Sequence, residues 1–263
     1  MYDLGKRPMN NSKNHNLAEE LKDFLIKISQ TKDTKSLREQ AYRLIDSITP
    51  HDFESAERKL QKSGISKQKI QQLSSAFIMM GLLEREKWDL RSQLPDYHIL
   101  RKVMAEHEMI RCFLADLDDV ALKIQQAVHL TPTINEFMRL SHIVEHLNSL
   151  EEHICREDDV LFPALREQGW ESLFLQIENE HRYIQMAVND LVKLTMAYDK
   201  IPFNSFKNRL LSTIRYLCPL LREHLFHEDR VVFPLAVSNI GDSAMWDRLR
   251  NICNEIDYCG IHL

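Results

Sequence analysis

Glycine and proline are scarce in this chain, with six and eight copies among 263 residues. That scarcity, together with long stretches of helical apolar spacing, places the expectation on an all-α fold. No apolar run approaches the ~20 residues a membrane-spanning helix needs. Residues 1–16 are polar and hold no apolar core of signal-peptide type, so neither a secretory leader nor a membrane association is expected. Cysteine is present but unpatterned: Cys112, Cys155, Cys218, Cys253 and Cys259 are odd in number and irregularly spaced. This excludes a Cys-quartet metal site and fits free thiols in the cytoplasm. An excess of positive charge is lacking too. The formal net charge is -5 with the signs interspersed, which leaves no electrostatic footprint for nucleic acid.

What the chain does have is an internal repeat. Residues 153–163 read His-Ile-Cys-Arg-Glu-Asp-Asp-Val-Leu-Phe-Pro, and residues 224–234, 71 positions later, read His-Leu-Phe-His-Glu-Asp-Arg-Val-Val-Phe-Pro. Six of the eleven positions are identical. A second matched pair precedes them: Glu106-His107 with Ile110, and Glu180-His181 with Ile184, 74 residues apart, each running on to an Asp-Leu. A unit of "Glu-His helix, then His-x-x-x-Glu helix" therefore occurs twice. Residues i and i+4 share a helix face, so His153 with Glu157, and His224 with Glu228, each aim an imidazole and a carboxylate at one point. Two such helices facing two that give one His each supply four imidazoles and two carboxylates to a bundle core. That is the logic of dinuclear iron or manganese sites in helical bundles, and imidazole with carboxylate suits iron, zinc or manganese.

In chain order, residues 1–16 read as a disordered tail and 17–86 as a small helical domain. There Thr49-Pro50 opens a helix as cap and first turn, and Ser63-Gly64 closes it. Four long helices follow within residues 94–240, over about 97–128, 134–162, 171–198 and from Pro202 to Phe233, with Pro163 kinking or ending the second. Residues 241–263 form a C-terminal helix and tail. Short connections predict antiparallel neighbours, an up-down four-helix bundle.

From about Leu94 to Ala236 these motifs resemble the hemerythrin family, the HHE cation-binding domain. The resemblance implies an up-down four-helix bundle around a non-haem diiron centre, two iron ions that are oxo- or hydroxo-bridged. The matching positions imply His107, His153, His181 and His224 as terminal metal ligands and Glu157 and Glu228 as bridges. In hemerythrins proper the last carboxylate comes five residues after its His, a position held here by Asp229. Asp229 is thus the alternative to Glu228, which is favoured because it repeats Glu157. Hemerythrins also place a second His one turn after the third-helix His, where this chain has Gln185. His129, 22 residues after His107, resembles a His of the diiron proteins that repair iron–sulfur clusters, and is a further candidate ligand. Residues 17–83 resemble the helical domain called DUF438.

The remaining histidines have plainer readings. His51 is taken as solvated. His142 and His146, at offsets of 11 and 7 from His153, share its helix and are preferred as surface residues. His227 is expected off the ligand face as a solvated residue, and Cys155 as a structural thiol. Leu161, Phe162, Val232 and Phe233 should pack the end of the bundle. Six or seven protein ligands leave two six-coordinate metals with open positions. The functional expectation is therefore a cytoplasmic diiron protein that binds or senses oxygen, nitric oxide or redox state. The alternatives are a diiron enzyme or repair factor (nitric oxide reduction, peroxide chemistry or iron donation to damaged clusters) and an adaptor docking a protein partner through the N-terminal domain.

Overall fold

The structure, a computed structural model, describes residues 14–31, 34–45, 47–83, 90–128, 135–166 and 170–256. All regular elements among them are helical, and none is long and apolar enough to cross a membrane. The chain divides into two compact units, Met1–Lys87 with Gln168–Gln176, and Trp88–Glu167 with Ile177–Leu263.

The first unit holds α1 (Asn14–Gln30), α2 (Thr34–Ile45), α3 (Pro50–Lys62) and α4 (Lys67–Leu83). α3 begins as its sequence predicts. Thr49 accepts from the Asp52 backbone N–H while Asp52 accepts from that of Thr49, and Pro50 fills the first turn, where an N–H has no helical acceptor. Gly64, at φ 86°, turns the chain out of α3. α2 packs on α4 so closely that a Cβ on Gly81 would sit 2.8 Å from Ile45 Cβ. The core gathers around Phe77, whose ring meets those of Phe24 and Phe53 at 5.5 Å.

The second unit is built on α6 (Ile99–Gln126), α7 (Asn135–Asn148), α8 (Leu150–Arg156), α10 (Glu171–Met196) from Ile177 onward and α11 (Phe203–His227), with short helices α5 (Leu90–Gln93), α9 (Phe162–Arg166), α12 (Phe233–Asn239) and α13 (Ser243–Cys253). Apolar residues at three- and four-residue spacing, such as Ile110, Leu114, Leu117, Ala121 and Ile124 on α6 and Leu210, Ile214, Leu217 and Leu221 on α11, close a continuous core. The histidines of the repeat sit in these same stripes: Val103, His107 and Ile110 are all buried.

Two features differ from the expected four unbroken helices. The second is interrupted at Ser149, whose hydroxyl reaches back to the Glu145 carbonyl at 3.5 Å, the kind of side-chain bond that bends a helix. More consequentially, Pro163 does not end its helix. A π-helical turn, Glu157–Leu161, precedes it, with Phe162 N–H donating to Glu157 O, and the helix continues through Arg166. The second copy repeats this at Glu228–Val232 before Pro234. Proline lacks the N–H and crowds the carbonyl four residues back. Inserting one residue into the turn relieves both conflicts and changes the phase of the helix at each carboxylate.

Candidate metal centre

The repeat delivers its polar residues to one buried point. His107 on α6, His153 on α8, His181 on α10 and His224 on α11 are at most 2% exposed, and Glu157 and Glu228, the first residues of the two π turns, are fully buried. His107 Nε2 faces His153 Nε2 at 3.2 Å, and His181 Nε2 faces His224 Nε2 at 3.1 Å. Glu228 offers one oxygen to each side: Oε1 lies 3.1 Å from His224 Nε2 and 3.4 Å from His181 Nε2, and Oε2 lies 3.4 Å from His107 Nε2. Glu157 Oε2 lies 3.5 Å from His153 Nε2 and 3.3 Å from His181 Nε2.

Two groups result, His107–His153–Glu157–Glu228 and His181–His224–Glu157–Glu228. In each, one ligand atom per residue falls within 4.8 Å of the others, and the two groups share both carboxylates. The donor set fits a cation. Both Glu157 oxygens and Glu228 Oε2 are buried with no hydrogen-bond partner, a state that costs several kcal/mol per ion unless positive charge is supplied. Adjacent ligands at ~2.1 Å from one ion stand roughly 3 Å apart, close to the spacing of each imidazole pair.

Without a cation, protons take its part. Burial opposes charging of His153, but the Glu157 and Glu106 carboxylates outweigh it and raise its proton affinity. His181 is raised well above the usual imidazole range against its burial, by Asp158, Glu157 and Glu228. His224 is likewise raised, to about 9, chiefly by Glu228 and Glu180. Burial pushes Glu228 upward, yet His224 and His181 hold it well below the ordinary carboxylate range.

Each imidazole turns its other nitrogen to a carboxylate. His153 Nδ1 lies 2.9 Å from Glu106 and His224 Nδ1 3.1 Å from Glu180. His107 Nδ1 lies 2.8 Å from Asp229, and His181 Nδ1 2.8 Å from Asp158. The pattern is a cross-brace: the Glu before each single His holds the His of the next helix, and the Asp after each shared Glu holds the single His of the opposite repeat. Such partners fix the tautomer so that Nε2 presents its lone pair inward. Sequence reading missed these four roles, although the repeated dipeptides Glu-His and Glu-Asp carried the signal. It also missed Arg156, fully buried and paired with Glu106, and Arg111, paired with Asp229. Phe162 stacks on His181 at 5.7 Å and Phe233 on His107 at 5.4 Å, both rings buried.

Of the other residues named from sequence, Asp229 enters neither four-residue group and braces His107 instead. His129 lies outside the described residues. Gln185 is half-buried and lines a cavity of about 160 Å³ with Ile154, Ile184 and Val188. His142 is exposed, and His146 stacks on Phe113 at 4.5 Å, away from the cluster. His227 is not a solvated residue: its side chain is 15% exposed, with Nδ1 3.8 Å from Glu180. Cys112, Cys155, Cys218 and Cys253 are free thiols, and Cys259 lies outside the described residues.

Comparison with known families places residues 21–76 in DUF438, a family of unknown function. A search of the curated proteins found no match. The hemerythrin HHE cation binding domain matches residues 98–256, more than half the chain and the whole of the buried His/Glu cluster. On that match, and on a donor set fitted to cations, the chain is a metal-binding protein that belongs to the hemerythrin HHE cation binding domain family.

Proposed function

We propose that this is a cytoplasmic non-haem diiron protein that binds or senses oxygen, nitric oxide or redox state. Its two iron ions are held by His107 and His153 on one side and His181 and His224 on the other, with Glu157 and Glu228 shared between them. The observation that carries the reading is the pair of buried four-residue groups with both carboxylates in common. Shared carboxylates suit two adjacent ions rather than one, and a mixed imidazole–carboxylate set is the donor chemistry of dinuclear iron and manganese bundles. When bound, such an iron pair supplies one-electron redox chemistry and open positions for a diatomic molecule.

The chain's own residues do the rest. Glu106, Glu180, Asp158 and Asp229 lock the four rings in orientation and tautomer. Phe162 and Phe233 close one side of the cluster with apolar surface and exclude water. The cavity beside Gln185 borders the ligand-bearing helices, its lining residues Ile154 and Ile184 following His153 by one position and His181 by three. The proposed ligand set contains six residues and omits His129. α6 runs without a break from Ile99 to Gln126, which puts the end of that helix about 28 Å beyond His107 at 1.5 Å per residue.

The test is optical spectroscopy of anaerobically purified, iron-loaded protein before and after oxygen and nitric oxide. Reversible spectral change with stoichiometric ligand supports a binder or sensor. Sustained consumption of nitric oxide or peroxide reassigns the chain to an enzyme, and inert spectra count against both.

A further inference from the structure

The two metal positions are built from repeated sequence, and the repeat is broken where it controls charge. Asp229 Oδ1 and Asp158 Oδ1 each lie 2.8 Å from an imidazole Nδ1, that of His107 and His181 respectively. Behind Asp229 stands Arg111, which forms an ion pair with it and also donates to the Leu225 carbonyl at 3.5 Å. Arg111 is four residues after His107, and the residue four after His181 is Gln185. Asp158 therefore braces His181 with no guanidinium from the equivalent position. On that side Arg166 pairs with Glu178. A second break runs the same way. Arg156, fully buried, pairs with the Glu106 that braces His153, and its repeat position is His227.

Resting on the two-metal reading above, we infer that Arg111 and Arg156 make the two positions unequal, so that the His181–His224 position takes the first divalent cation and holds it more tightly. A carboxylate hydrogen-bonded to a ligating imidazole passes negative charge to the metal. A guanidinium on that carboxylate withdraws part of it and adds its own repulsion, most strongly from the buried Arg156, where screening by solvent is weakest. The His107–His153 position carries that penalty from two arginines. Arg111 and Gln185 are therefore positioning residues that set metal order without touching the metal.

The test is calorimetric titration of the metal-free full-length chain with Co2+, whose visible spectrum reports entry into the buried donor set. Two unequal steps are expected. His181→Ala should remove the tighter step and His107→Ala the weaker one. Arg111→Gln should strengthen the weaker step by about tenfold, the scale on which partners behind metal ligands act, and leave the tighter step in place. Gln185→Arg should weaken the tighter step, whereas Gln185→Met, which fills the same space without charge, should not. These two positions are half-buried or partly exposed, so the test does not depend on Arg156 variants folding. Equal steps that Arg111→Gln and Gln185→Arg leave unchanged overturn the inference while the two-metal reading stands. Uptake of one Co2+ or none overturns both.

Discussion

Asp229 reaches from the π turn after α11 to His107 on α6, its Oδ1 2.8 Å from Nδ1. A regular helix would have pointed it elsewhere, since consecutive residues stand about 100° apart. The extra residue of the π turn alters that phase and lets Glu228 and Asp229 both face the cluster, one to the Nε2 atoms and the other to an Nδ1.

The first prediction separates those two neighbours. Asp229→Ala should lower metal affinity by about 10- to 100-fold, the usual cost of losing a partner behind a ligand, while two metals still bind at saturation. Glu228→Ala should remove the second metal outright. Metal titration followed by elemental analysis distinguishes them. A silent Asp229→Ala would mean the His107 brace contributes nothing.

A good part of this was legible in sequence. The duplicated His-x-x-x-Glu and Glu-His motifs named the six residues the structure gathers, because i,i+4 spacing is a direct consequence of helical geometry. Thr49 and Asp52 announced the start of α3 by local chemistry alone. The braces were not read, for a physical reason. Asp158 and Asp229 lie within the π turns, and apolar periodicity does not register the conflict between Pro163 or Pro234 and the preceding turn that these turns relieve. Likewise His227 looked solvated on an α-helical wheel, but it stands beside Glu180.

The second prediction concerns the two stacked rings. Phe162→Ala and Phe233→Ala each empty a fully packed site, so each should cost about 3–5 kcal/mol in urea unfolding. Each should also speed the loss of bound metal to a chelator, because the apolar cover over His181 or His107 is removed. Unfolding curves and chelator-release rates that match the parent protein would contradict the role given to these rings.

The third prediction is a dependence on pH with opposite signs for the two states. In the metal-free chain His224 has its proton affinity raised from 6.5 to about 9. The stabilisation this gives, on the order of 3 kcal/mol, is complete below pH 6.5 and lost as pH rises through 9. Glu228 acts in reverse: its depressed pKa contributes stability above the ordinary carboxylate range that disappears under strong acid. The metal-free protein should therefore melt at lower temperature at pH 9 than at pH 6.5. Metal displaces the protons, so the rise in melting temperature on metal addition should grow over the same interval. Melting curves at several pH values with and without metal check both signs; a metal effect that shrinks toward pH 9 would contradict them.

The fourth prediction is that His129→Ala leaves metal stoichiometry, affinity and spectra unchanged, because the proposed set closes without it and α6 carries no break between His107 and Gln126. Loss of one metal or a shifted iron spectrum in this variant would bring a seventh ligand into the site.

The central claim is that one chain holds two iron ions between four imidazoles and two shared carboxylates. Iron and zinc analysis of anaerobically reconstituted protein, run beside Glu157→Ala and Glu228→Ala, tests it most directly. The account predicts two irons per chain in the parent protein and loss of the pair in either variant; a single iron, or zinc alone, would contradict it.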